Sequence, residues 1–352
     1  MLDEYVDSMG SRCLDGSAPS LYFGKGKKQD KFLFHFEGGA WCNSWDACYK
    51  RSLGHLGSSK NLPATLIKGG YLSQDPKENP NFCDFNLVFL RYCDGSFFAG
   101  DLKQPFKVKD KQLYVRGRSN LYAMLDWLTK HAGLKKASEV VVSGGSAGGI
   151  ATFLHSGFIA DYLQGVRVVS APDAGFLPVD QNSAVAKSLN WLVENMNISG
   201  TSDYLKECIS KSPKNKLWQC MSGTYLYSKM KMPTFISNSA LDSWQLTNIA
   251  GLGKECIKTP SKCMSKLTDW QKHFMNVLNN TLGSNPNSYN GINGGYNPSC
   301  IQHEQLQNGH VYSKQEIKGH TLRDTFGSWF HNDKKVPRWN IDVPYPNNPT
   351  CK

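Results

Sequence analysis

Between Val140 and Ile150 the chain runs Val-Val-Val-Ser-Gly-Gly-Ser-Ala-Gly-Gly-Ile, and a helix-like segment, Ile150 to Leu163, follows. A β-branched run, a turn of small residues and a helix in direct succession put the turn at the end of a strand, with the helix packed back onto the sheet. The turn holds Gly144-x-Ser146-x-Gly148, the pattern of a nucleophile elbow in the setting such an elbow needs. Its small residues are required because the serine sits on a tight, strained turn where larger neighbours would strike the adjacent backbone. The helix behind it aims its N-terminal N–H groups at a developing oxyanion. A phosphate-binding loop is excluded, since no Gly-Lys-Ser/Thr follows.

Further short apolar runs read as buried strands: Lys31 to Phe36, Phe85 to Arg91, Glu139 to Ser143, Val166 to Ser170 and Met232 to Asn238. Between them, Asn120 to His131 repeats Leu121, Met124, Leu125 and Leu128 at three- and four-residue steps, which places them on one helix face. Alternating strands and helices predict an α/β fold, a mostly parallel central sheet with helices on both faces. With no internal repeat and no low-complexity divider, one domain over residues 1–352 is the simplest organisation. The Gly- and Asn-rich stretch Gly283 to Pro298 reads as a long surface loop, a connector or the rim of a binding site.

Composition narrows the class. The chain is 40% hydrophobic and 20% charged, which excludes disorder, and it has no run of 18 apolar residues, which excludes a membrane-spanning helix. A formal charge of +11 implies anionic partners without choosing among nucleic acid, lipid and acidic polysaccharide. Eleven cysteines without a C-x-x-C pair argue against a zinc ribbon or a thioredoxin-like site and for disulfides made in an oxidising compartment. The odd number leaves at least one thiol free or paired outside the chain. Sequons at Asn197 and Asn279 agree with secretion. Met1-Leu2-Asp3-Glu4 does not resemble a signal peptide, so the sequence reads as a mature or trimmed form.

A serine nucleophile needs a base and an acid, which in α/β-hydrolases follow it as acid and then histidine. Asp242, just past the Met232 to Asn238 strand, is the preferred acid. Asp173, after Val166 to Ser170, is its competitor or a support of the substrate pocket. Five histidines follow Asp242: His273, His303, His310, His320 and His331. His273 falls in a helix-like stretch, Leu267 to Leu278; His310 falls in an Asn-Gly-His turn; His303 follows Cys300 by three residues, so a disulfide can fix its loop. That favours His303, because positional errors of about 1 Å can cost about two orders of magnitude in rate. Glu37-Gly38-Gly39-Ala40-Trp41-Cys42, at the end of an apolar strand, offers unhindered backbone N–H groups for an oxyanion hole. A Cys42–Cys48 bridge is expected to restrain that loop.

Seven blocks in order resemble the pectin acetylesterase family, which also takes in the animal carboxylesterase Notum. They are Cys13 to Pro19 (CLDGSAP), Glu37 to Asn43 (EGGAWCN), Leu56 to Ser59, Arg91 to Gly95 (RYCDG), Ser143 to Gly149, Asp173 to Phe176 and Ser299-Cys300-x-x-His303. The resemblance spans nearly the whole chain and is closer to the plant enzymes. It implies an α/β-hydrolase fold and deacylation of an O-ester through an acyl-serine. It also implies a triad of Ser146, Asp242 and His303, with the backbone N–H groups of Gly39, Ala40 and Ala147 as oxyanion donors. Trp41 and Asp173 are assigned to the substrate pocket. The chain departs from the plant pattern in three places. Gly145 stands where a cysteine precedes the serine, Glu304 where one follows the histidine, and Asp342 to Cys351 lacks the cysteines of a Cys-Pro-Tyr-Pro-Cys ending, which makes Cys351 the expected unpaired thiol.

The expected function is therefore a secreted, monomeric carboxylesterase removing O-acetyl groups from a polysaccharide, foremost acetylated pectin. The alternative is a Notum-like hydrolase of a lipid ester on an acylated protein, and a catalytically silent binding protein is a third reading that the intact triad argues against. No metal, no cofactor, no nucleic-acid partner and no stable membrane insertion are expected.

Overall fold

The computed structural model describes residues 1–283 and 291–351. Its central sheet has eight strands: β1 (Leu21–Gly24), β2 (Lys28–Phe36), β3 (Phe85–Leu90), β4 (Glu139–Gly145), β5 (Arg167–Asp173), β6 (Phe235–Ser237), β7 (Gly294–Asn297) and β8 (Trp339–Ile341), in the order β1-β3-β2-β4-β5-β6-β7-β8. Only β1, at one edge, runs antiparallel to its neighbour. The expected α/β architecture is thus present, and β5 runs on to Asp173, three residues beyond the strand expected from the sequence.

Period-two alternation explains why the sheet is covered on both faces. Along β2 it sends Phe32, Phe34 and Phe36 into one core with Val88, Leu90, Val140 and Val142, and Leu33 into the other with Leu87, Phe89, Val141 and Val169. Each such fully buried large side chain contributes roughly 1.5–3 kcal/mol of hydrophobic stabilisation. The helices that pack on the sheet or border its loops include α1 (Trp45–Ser52), α2 (Gly117–His131), α3 (Ala147–Tyr162), α4 (Ser243–Asn248) and α5 (Met264–Leu282). α2 buries Leu121, Met124, Leu125 and Leu128, the face read from the sequence. α3 is buried along most of its length and packs on β4 and β5.

Two expectations are corrected. Gly294–Asn297 is a buried sheet strand rather than part of a surface loop; residues 284–290 of that stretch lie outside the described residues. Glycine composition misleads here because neighbouring rings supply the packing. A Cβ on Gly294 would lie 2.7 Å from Trp329 Cδ1, and one on Gly295 would lie 2.6 Å from Trp339 Cε3. Cys351 is not the unpaired thiol. The bridges are Cys13–Cys93, Cys42–Cys48, Cys208–Cys220, Cys256–Cys263 and Cys300–Cys351, and the free cysteine is the buried Cys83. Asp342 explains the pairing: it accepts hydrogen bonds from Ser299 N–H (3.0 Å) and the Asn348 amide (3.2 Å), which fold the chain end back beside Cys300.

Candidate active site

β4 ends at Gly145 and α3 begins at Ala147, so Ser146 makes the turn alone, with φ 56° and ψ −119°. A residue carrying a Cβ enters such a region only at a cost of about 1–3 kcal/mol, so the surroundings must impose it. A Cβ on Gly148 would overlap the Phe36 carbonyl oxygen, and one on Gly149 would lie 2.5 Å from the Asp173 carbonyl oxygen. Only glycine lets the first turn of α3 press this closely onto the ends of β2 and β5. The Ser146 N–H donates to the Asp173 carbonyl at 2.9 Å, and the residue stays partly exposed.

Asp242 is the N-cap of α4. Its Oδ1 accepts from the N–H groups of Trp244 and Gln245, both at 3.0 Å, and its Oδ2 lies 2.7 Å from His303 Nδ1. Hydrogen bonds to a charged group contribute about 1.5–3 kcal/mol each, which holds this fully buried carboxylate in one orientation. A two-residue parallel ladder, Leu241 with Ile301 and Asp242 with Gln302, lays the aspartate and histidine segments side by side. Burial opposes charge on His303. The hydrogen bond and charge of Asp242, then Glu304 and Asp173, outweigh it and raise the imidazole pKa. The His303 side chain keeps 22% exposure, and the Trp244 ring stacks on it with centroids 6.3 Å apart.

The histidine segment is tied to the serine turn from both sides. Cys300–Cys351 anchors it ahead of His303. Behind it, Asp173 Oδ2 accepts from the N–H groups of Gln305 (2.6 Å) and Leu306 (2.8 Å). Asp173 is therefore neither the acid partner nor an open pocket wall. It is 1% exposed, and its burial raises its pKa to about 7 against the pull of those two N–H groups. None of the other late histidines pairs with Asp242. His273 lies in α5, 3.8 Å from Asp180; His310 is in the short helix Gly309–Lys314, not a flexible turn; His320 and His331 belong to a small hairpin and a helix end.

The loop after β2 abuts the serine, since a Cβ on Gly38 would lie 3.1 Å from Ser146 Cβ. Gly39 and Ala40 both have positive φ, 128° and 54°. Arg51 of α1 explains their orientation: its guanidinium donates to the carbonyls of Gly39 (2.6 Å), Ala40 (3.4 Å) and Leu56 (3.1 Å). In a trans peptide the N–H points opposite to the C=O, so drawing the Gly39 carbonyl toward Arg51 turns the Ala40 N–H away from it. Among the described residues the N–H groups of Gly39, Ala40 and Ala147 donate no hydrogen bond. Glu37 anchors the loop base by accepting from Arg91 and from the Tyr92 N–H, and the expected Cys42–Cys48 bridge joins the loop to α1. Trp41 is partly exposed, 5.6 Å from the Trp244 ring, and its indole N–H donates to Ser188.

The structure joins Asp242 to His303, two of the residues singled out in the sequence, and adds Arg51, Trp244 and the support roles of Glu37 and Asp173. Arg51 lies outside every recognisable block, so no local signal marks it. Two of the three departures from the plant pattern meet in space: a Cβ on Gly145 would lie 2.7 Å from Glu304 Cδ, so glycine leaves room that the glutamate fills. Among the described residues, the grouping close enough to hold a metal is Cys300, Asp342 and Cys351, whose sulfurs are joined in a disulfide. A strained serine, an aspartate–histidine pair and uncommitted N–H groups are the parts that acyl transfer needs.

A family model described as Pectinacetylesterase matches residues 2–352. Pectin acetylesterase 5 of Arabidopsis thaliana is 30% identical over 99% of this chain and 84% of its own length, and pectin acetylesterase 4 of the same plant is 29% identical over 99% and 87%. Palmitoleoyl-protein carboxylesterase notum1 of Xenopus laevis is 24% identical over 96% of this chain and 72% of its own length.

Proposed function

The chain belongs to the pectinacetylesterase family, and from that premise we propose that it is a secreted, monomeric, single-domain serine carboxylesterase that removes O-acetyl groups from a polysaccharide, foremost acetylated pectin. The observation that carries the reading is the Asp242–His303 pair, 2.7 Å apart, held beside the strained Ser146 turn. Ser146 Oγ attacks the ester carbonyl while His303 Nε2 takes its proton, and Asp242 accepts from Nδ1–H so that Nε2 faces the serine. The N–H groups of Gly39, Ala40 and Ala147 receive the oxyanion. Collapse expels the sugar alcohol, protonated by His303, and leaves acetyl-Ser146; water, activated by the same histidine, then releases acetate. Trp41 and Trp244 offer partly exposed rings for a sugar, the +11 charge favours a polyanionic chain, and five disulfides fit an oxidising compartment.

Turnover of p-nitrophenyl acetate, p-nitrophenyl octanoate and acetylated pectin tests the substrate class. Preference for the acetyl ester and release of acetate from pectin are expected. Preference for octanoate with pectin untouched would replace this reading by the lipid-ester one.

A further inference from the structure

Three carboxylates surround Ser146 and His303. Acyl transfer uses Asp242, and Asp173 is engaged by two backbone N–H groups. Glu304 has no part in either. Its backbone has a positive φ of 59°, and its carboxyl lies against two turns where they meet. A Cβ on Gly145 would lie 2.7 Å from its Cδ and 2.8 Å from Oε1, and a Cβ on Gly38 would lie 2.9 Å from Oε1. Glycine at 145 leaves the carboxyl this room, whereas glycine at 38 is demanded first by the Gly145 carbonyl oxygen, which a Cβ there would meet at 2.5 Å. The Gln307 amide donates to its other oxygen. One side chain therefore touches the residue before the serine and the loop that carries Gly39 and Ala40, while its backbone continues directly from His303.

We propose that Glu304 is a positioning residue of the esterase site, a carboxyl wedge seated against both the Gly38 loop and the Ser146 turn that steadies them where they meet and whose negative charge tunes His303. The proposal rests on the triad reading above. The charged and titratable groups around the wedge are His303, Asp242, Asp173, Lys68 and Tyr71. Burial raises the Glu304 pKa, while the charge of His303, the Gln307 hydrogen bond and Lys68 pull it down. When ionised, Glu304 favours the imidazolium and so raises the His303 pKa. Only the neutral imidazole can act as base, so removing this charge must move the acid limb of the kcat/KM profile to lower pH. Removing the wedge itself frees the two turns to shift, and errors of about 1 Å at a reacting centre cost up to about a hundredfold.

The test compares Glu304→Gln and Glu304→Ala with the parent on p-nitrophenyl acetate across the range in which histidine titrates, with Ser146→Ala as the blank. Glu304→Gln keeps the size and one oxygen; it is expected to hold kcat within a few-fold and to displace the acid limb to lower pH. Glu304→Ala is expected to lose about tenfold to a hundredfold in kcat. A Gln profile superimposed on the parent's, or parent-like kcat in the Ala variant, overturns the proposal; should the Ala variant not fold, the Gln profile decides. Activity surviving in Ser146→Ala would instead overturn the triad reading beneath it.

Discussion

The two ends of β2, β4 and β5 are built from the same three strands and carry opposite kinds of chemistry. At their amino ends Lys31, Glu139 and Arg167 stand directly opposite one another in register. Glu139 is paired with Lys31 at 2.5 Å and with Arg167 at 3.0 Å, all three side chains partly in water. Such pairs are ordinary cross-strand neighbours that contribute about 0–1 kcal/mol each. At their carboxyl ends the backbone takes positive φ at Ala40, Ser146 and Ala174, and the carboxylates of Asp173, at the end of β5, and of Asp242, past the neighbouring β6, are buried. Unfavourable backbone and buried charge gather where three loops converge, and there each is held by specific donors: Arg51 on the Gly39 carbonyl, Gln305 and Leu306 N–H on Asp173, Trp244 and Gln245 N–H on Asp242. Strain of this kind persists only where the surroundings over-determine it, and it clusters at functional sites.

The largest break in this contrast is expected at His303. His303→Ala should lower kcat on p-nitrophenyl acetate by about 10⁴-fold or more, because triad members act as a unit, whereas His310→Ala, at an exposed position of a short helix, should stay within about twofold. The reverse ranking in steady-state kinetics would move the base. An intermediate effect is expected at the restraint beside the oxyanion loop. Cys42→Ser with Cys48→Ser opens a loop of sequence separation 6, which by chain entropy contributes only about 2 kcal/mol, against about 4.5 kcal/mol for Cys13–Cys93 with separation 80. Turnover should therefore fall about tenfold while the melting temperature drops by only several degrees; free thiols at both positions in the parent, found by non-reduced peptide mapping, would remove the premise. The smallest effect is expected at the far end. Glu139→Gln should change stability by less than about 1 kcal/mol in denaturant unfolding and leave kcat unaltered. A loss of activity there would mean that the two ends are coupled.

Most of the serine end was legible because its constraints are local. The Ser146 turn needs small residues in immediate succession, β2 ends in Phe-Leu-Phe-His-Phe and β4 holds Val140 to Val142, so all three stand out in the chain. Asp242 and His303 were reached through chain order and flanking residues. What stayed hidden depends on contacts between distant segments. β7 carries two glycines whose packing comes from Trp329 and Trp339, and no composition rule makes Gly-Gly-Tyr-Asn a strand. Asp173 is read as acid or pocket residue from its place after a strand, yet its partners are backbone N–H groups 132 and 133 residues away. Gly145 and Glu304 are legible singly as departures from a pattern; only the fold shows that they touch.

The central claim is that Ser146 becomes acylated with His303 as its base. Brief reaction with a fluorophosphonate, followed by peptide mass spectrometry, tests it most directly. A single adduct on the peptide containing Ser146, absent from Ser146→Ala and strongly slowed in His303→Ala, is the predicted result. An adduct on another residue, or one that persists in Ser146→Ala, would contradict it.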